Sequence, residues 1–270
     1  MAETALTQSP PPGATAQSNR ARILATRIAT VAVIALVWET VARSGLLYQD
    51  VVPSLGKIAL AFLTLLGTPA TYRHLGVTAW EVLAGFALGF LAGVAFGVPM
   101  GARRLFGDAV GPYVDGLATA PKIIFLPIAM LAFGIGIASK IALAALSAFF
   151  PVAIVTAAGV RQIDPVLVRV GRSFRLTNWQ MATRIYLPAM RPAIVTSMRL
   201  GFGLSVVGTL LGEIKLSNAG LGFLANEHYS NFRIPELYAV LLLVFVLAVG
   251  TNSVMSRLSR RRGGTGNPSA

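Results

Sequence analysis

Hydrophobic residues run through the chain in long blocks, separated by short polar or basic stretches. The blocks cover residues 22–42, 74–100, 112–133, 139–160, 193–214 and 236–254. Each is long enough to cross a bilayer core as a helix, where every backbone polar group must be satisfied within the segment. The pattern predicts an all-α polytopic membrane protein with six transmembrane helices inside residues 20–262. Residues 1–19 are rich in Pro, Ala, Thr and Ser and lack apolar periodicity. They predict a disordered cytosolic tail, and residues 263–270 a second one. Arg20, Arg22 and Arg27 precede the first block, as in a signal peptide, but no good small-x-small cleavage site follows, only Thr40-Val41-Ala42 before Arg43. The block is therefore read as a retained span. Ser54 precedes an apolar pattern at Ile58, Ala61, Phe62, Leu65 and Leu66, which predicts a short capped helix at the outer interface.

Three blocks carry internal marks. The second has Gly85, Gly89, Gly93, Gly97 and Gly101 four residues apart, a flat groove for close approach of another helix. Pro99 is expected to end or kink it. The third is interrupted by Pro112, Pro121 and Pro127 and by Phe133-Gly134-Ile135-Gly136. Broken spans of this kind often line a path. Lys122, beside Pro121, is either a path residue or a side chain snorkelling to the interface. Glu213 closes the fifth block and is the second candidate for the path. Residues 215–235 are expected as an outer loop.

Residues 161–192 form a basic amphipathic island between the fourth and fifth blocks, with Arg161, Arg169, Arg172, Arg175, Arg184 and Arg191. Asp164-Pro165 is a helix start, and Val166, Val170 and Phe174 recur every four residues behind it. Arg169, Arg172 and Arg175 recur every third residue on another face. A break follows near Leu176, and Thr177 with Gln180 reads as a capping box for a second helix. Pro188 and Pro192 mark a kink or stop. This helix-break-helix reads as a docking element rather than a plain charged loop.

The net charge of +13 sits in the flanks of the apolar blocks. With both termini cytoplasmic, sixteen Lys and Arg residues fall in cytoplasmic segments and six in outer ones. That asymmetry fits the positive-inside rule and accounts for the basic composition without a nucleic-acid partner. Cysteine is absent, so no disulfide framework is expected. No phosphate-binding loop, no metal-ligand spacing of His74 and His228, and no nucleophile elbow occurs. Glu39, Glu81 and Glu213 read as single carboxylates, with no acidic pair to suggest a proton relay. The chain lacks its own energy source.

In order and spacing these residues resemble the permease subunit of binding-protein-dependent ATP-binding-cassette importers, of the nitrate/sulfonate/taurine type. The resemblance covers about residues 50–258. It rests on Ile185-x-Leu187-Pro188, the end of that family's cytoplasmic loop motif, at its proper distance from Arg169-Val170-Gly171. The triplet stands for the family's Glu-Ala-Ala, and Arg175 for its Gly. Supporting matches are Val52-Pro53-Ser54, Pro121-Lys122-Ile123, Phe149-Phe150-Pro151 and Gly220-Leu221-Gly222.

The resemblance implies a type I importer permease in a bacterial inner membrane that is itself no enzyme. ATP and Mg are bound by two cytosolic ATPase subunits. A second permease subunit completes the pore, and an extracytoplasmic binding protein delivers a small solute such as a sulfonate, taurine or nitrate. Arg169, Val170, Gly171, Arg172, Ser173, Phe174, Arg175, Leu176 and Thr177 would form the ATPase-coupling element. An Arg in place of the Gly must either take a left-handed conformation, at a cost on the order of 1 kcal/mol, or reshape the turn. Two other readings remain beside this one: a secondary transporter coupled to an ion gradient, and an importer-like subunit that does not transport.

Overall fold

The structure, a computed structural model, describes residues 12–45 and 51–262. Contacts divide the chain into two units, Met1–Ala61 and Phe62–Ala270. Among the described residues, five helices are long and apolar enough to cross a membrane. A bent pair, Arg104–Thr119 with Lys122–Phe133, turned by 98° at its break, is long and apolar enough to count as a sixth when taken together.

The first unit contains helix α1, Pro12–Arg43, and the start of α2, Leu55–Gly67. Residues 12–19, expected as disordered, belong to the first turns of α1; residues 1–11 and 263–270 lie outside the described residues. Glu39 ties the far end of α1 down. It pairs with Arg43 Nε at 2.6 Å and accepts the Leu55 N–H at 2.9 Å. Trp38 Nε1 donates to the Pro53 carbonyl at 3.0 Å. Ser54 Oγ accepts from Lys57 N–H at 3.4 Å at the head of α2, the position expected of a cap.

The second unit is built on three long helices: α3, Pro69–Ala102; α6, Ile137–Arg161; and α10, Arg191–Leu216. Between α3 and α6 lie α4, Arg104–Thr119, a single 3₁₀ turn at Lys122–Phe125, and α5, Leu126–Phe133. The α6–α10 connection holds α7, Pro165–Ser173; α8, Asn178–Met181; a π-helical stretch, Ala182–Tyr186; and α9, Leu187–Ala189. After α10 come α11, Leu221–Ser230, and α12, Ile234–Arg262. Half of the expected outer loop is thus the helix α11.

The core is α6, flanked by α3 and α10. The glycines of α3 face it in succession. A Cβ on Gly93 would stand 2.7 Å from Val152 Cγ1, on Gly97 2.6 Å from the Ala153 carbonyl oxygen, and on Gly101 2.6 Å from that of Ala157. On the other side, a Cβ on Gly201 would stand 2.6 Å from Val152 Cγ2. In lipid, water drives no apolar burial between helices, so close backbone packing of this kind carries the association. Pro99 does not end α3. The helix runs on to Ala102, and Arg103 N–H closes its last turn on the Pro99 carbonyl at 3.0 Å.

Candidate functional site

The α6–α10 connection follows its local chemistry. Asp164 Oδ1 accepts from Val166 N–H at 2.8 Å, and Pro165 opens α7. The helix ends in a Schellman turn, with Arg175 N–H on the Arg172 carbonyl at 2.9 Å and Leu176 N–H on the Gly171 carbonyl at 3.1 Å. Arg175 holds φ 51°, so an arginine occupies a left-handed position that suits glycine. Of the two outcomes expected for this residue, the strained conformation is the one adopted. Thr177 and Gln180 then form both halves of the capping box, at 2.9 and 3.3 Å. The expected stop falls two residues after Pro188, where α9 gives way to a turn at Met190 before α10 opens at Arg191-Pro192. Proline cannot donate to the preceding turn, and the coil widens into the π stretch just before Pro188.

Gly171 is buried, and a Cβ there would stand 2.5 Å from Ile185 Cδ1 and from Met181 Sδ. It is the contact that seats α7 on the second helix. The opposite side is open: Val166, Leu167 and Val170 are about half exposed, and Phe174 and Trp179 are each 76% exposed. Arg169, Arg172, Ser173, Arg175 and Thr177 are exposed beside them, and Leu176 is half-buried. Among the described residues none of the three arginines has an acidic partner. The element therefore presents cations around an uncovered apolar strip.

The bend of the broken span places Lys122 in a definite role. Its Nζ donates to the carbonyls of Leu117, Ala118 and Ala120 at 2.9, 2.7 and 2.8 Å. Those are oxygens that the end of α4 leaves without an intrahelical donor. Nζ also lies 5.2 Å from the centre of the Phe150 ring. Lys122 borders a cavity of about 380 Å³ between α4, α6 and α10, whose wall includes Ser147, Pro151, Leu204 and Val207. Glu213 does not line it.

Glu213 instead lies at the end of the bundle where α6 begins and α10 ends. The first turn of α11 is caught there by side chains. Gly220 N–H donates to His74 Nδ1 at 3.0 Å, Leu221 N–H to Thr78 Oγ1 at 2.8 Å, and Gly222 N–H to Glu213 Oε2 at 2.7 Å. Thr78 Oγ1–H donates to Glu213 Oε1 at 2.7 Å. Gly220, at φ 112°, lies against the Glu213 carboxyl group where a Cβ would collide with it. Glu81 packs there too and pairs with Lys140 at 2.9 Å. Glu81 and Glu213 are in side-chain contact, which corrects the expectation of single carboxylates. The missed signal lay in α3: His74, Thr78 and Glu81 continue the stripe of Gly85, Gly89, Gly93 and Gly97 at helical spacing.

An all-helical bundle with a bent helix pair, a half-open cavity and a basic helical connection fits a transporter membrane subunit. The family described as binding-protein-dependent transport system inner membrane component matches residues 85–263, and the chain belongs to it. The chain is 29% identical over 230 residues to a putative aliphatic sulfonates transport permease protein, SsuC, of Bacillus subtilis, covering 85% of this chain and 83% of that one. It is 28% identical over 241 residues to the taurine transport system permease protein TauC of Escherichia coli, covering 86% and 88%. A nitrate import permease protein, NrtB, of Synechocystis is 31% identical over 184 residues, 67% and 66%. Among solved structures, an inward-facing MetNI methionine ABC transporter matches the fold with a TM-score of 0.60 at 20% identity, over 72% of this chain and 97% of that one. The protein is thus a multi-pass inner-membrane permease subunit of an ABC importer, and not itself a catalyst.

Proposed function

We propose that the chain forms half of the path for a small anionic or zwitterionic solute of the sulfonate, taurine or nitrate class. The names of its relatives support that class. A second permease subunit, most simply another copy, completes the pore, and a binding protein delivers the solute at the α11 end. Both termini and residues 161–192 face the cytosol, on the strength of the basic residues there. The stretch Arg169–Thr177 docks on a cytosolic ATPase that binds ATP and Mg. The observation that carries this reading is the uncovered strip of Val170, Phe174 and Trp179 beside three arginines that have no acidic partner among the described residues. Such a surface fits an apolar groove with an acidic rim.

The test is reconstitution in liposomes with the ATPase encoded beside the gene and its binding protein. ATP-driven uptake of a labelled sulfonate, taurine or nitrate is the expected result. Uptake driven by an ion gradient without ATPase would overturn it. Reversing Arg169 and Arg172 to Glu should weaken co-purification of the ATPase on the order of tenfold while membrane insertion persists.

A further inference from the structure

The α11 end of the bundle holds three buried ionisable side chains that neither the docking element nor the cavity uses. Glu81, on α3, and Glu213, on α10, are fully buried, and Lys140, at the start of α6, is 3% exposed. The two carboxyl groups are in side-chain contact. Two carboxylates cannot satisfy each other, because each only accepts hydrogen bonds. Their oxygens differ in just this respect. Both Glu213 oxygens receive donors, from Thr78 and Gly222, whereas neither Glu81 oxygen receives a well-angled one. Lys140 supplies Glu81 with charge at 2.9 Å, and among the described residues it is the single cation paired with either acid. The missing element is a donor between the carboxyl groups.

We propose that Glu81 and Glu213 share one proton, carried by Glu213 and donated to Glu81, and that this proton fastens the turn between α10 and α11 to α3 and α6. With it, the Glu81–Lys140–Glu213 cluster is neutral, as burial demands. The contacts then form a ring that begins and ends on the turn. Gly222 N–H donates to Glu213, Glu213 donates to Glu81, and Lys140 pairs with Glu81 as an ion. Lys140 also donates to Ser217 Oγ at 2.7 Å, and Ser217 donates to the Ala219 carbonyl. From α3 the pair is faced by Thr78, with His74 beyond it on the Gly220 N–H. From α6 it is faced by Lys140, and from α11 by the backbone N–H of Gly222. Loss of the proton leaves two buried negative charges against one positive, so the ring opens as pH rises.

Infrared spectra of the full chain in nanodiscs test this without reference to transport. The expected result at neutral pH is a protonated-carboxyl C=O band that disappears as pH is raised. The band should be absent in Glu213→Gln, whose amide keeps the hydrogen bond to Glu81. It should also be absent in Glu81→Gln, which leaves Lys140 to pair with an ionised Glu213. The thermal midpoint should fall as pH rises from the ordinary carboxylate range to the pH at which the band is lost, level off above it, and stay level throughout for Glu213→Gln. No band in the wild type at neutral pH would overturn the proposal, whatever the variants do. So would loss of the band on adding sodium or potassium at constant ionic strength and pH, which would put a metal cation between the carboxylates.

Discussion

The backbone N–H of Leu176 reaches back to the carbonyl of Gly171 at 3.1 Å, and the turn it closes holds Arg175 at φ 51°. The geometry of a glycine-ended helix is kept although the glycine is not. Left-handed backbone costs a residue with a Cβ about 1 kcal/mol or more. Arg175→Gly should relieve that strain and slow hydrogen exchange of the Leu176 amide about fivefold, less what the glycine gains in unfolded-chain freedom. Unchanged or faster exchange would count against strain at this position.

The α3–α6 seam leaves no space for a methyl group. On Gly97 it would stand 2.6 Å from the Ala153 carbonyl oxygen and 2.7 Å from Thr156 Cβ, neither at the end of a flexible side chain. Gly97→Ala should therefore destabilise the protein by about 1–3 kcal/mol, the range for overpacking. Gly76 lies in the same helix with nothing within 4 Å of its Cβ position. Gly76→Ala should be neutral or stabilising by up to about 1 kcal/mol, because alanine favours helix. Thermal unfolding of the two variants side by side checks the contrast.

Lys122 caps α4 through three carbonyl oxygens. Lys122→Met removes those donors at the bend and should lower stability by on the order of 1 kcal/mol, a figure reduced because the side chain is only partly shielded from solvent. Uptake should fall with it, since the bend shapes the cavity. A variant with normal unfolding and reduced uptake would instead mark Lys122 as a path residue alone.

His228, on α11, has both ring nitrogens buried without a hydrogen-bond partner among the described residues. Burial pushes its imidazole below the ordinary value, against the upward pull of Glu236 and Glu227. The unfolded chain then takes up a proton near pH 6.5 that the folded chain resists, so this group costs stability as pH falls below about 6.5. His228→Phe should flatten that acid limb of the unfolding midpoint between about pH 7 and 5. An unchanged limb would assign it to other groups.

Much of the α6–α10 connection was legible because its determinants are local. Asp164-Pro165, Thr177 with Gln180, and the four-residue recurrence of Val166, Val170 and Phe174 act within one or two turns. The inward role of Gly171 was not legible, since it depends on where Met181 and Ile185 come to lie. Lys122 read equally as path or interface. Only the fold at Pro121 turns its ammonium back onto the carbonyls of α4.

By itself the sequence determined the spans and the helix starts in residues 161–192. Bilayer length, helical period and capping chemistry are properties of contiguous residues, and each span must satisfy its own backbone. It also put Gly85, Gly89, Gly93 and Gly97 on one face. The tertiary structure decided what that face meets, which is α6, and what continues it, which is the cluster of Thr78, Glu81, Lys140 and Glu213. Glu81 and Glu213 are solitary acids along the chain. They become a pair only when packing removes water from both, so their shared chemistry belongs to the fold and not to any stretch of sequence.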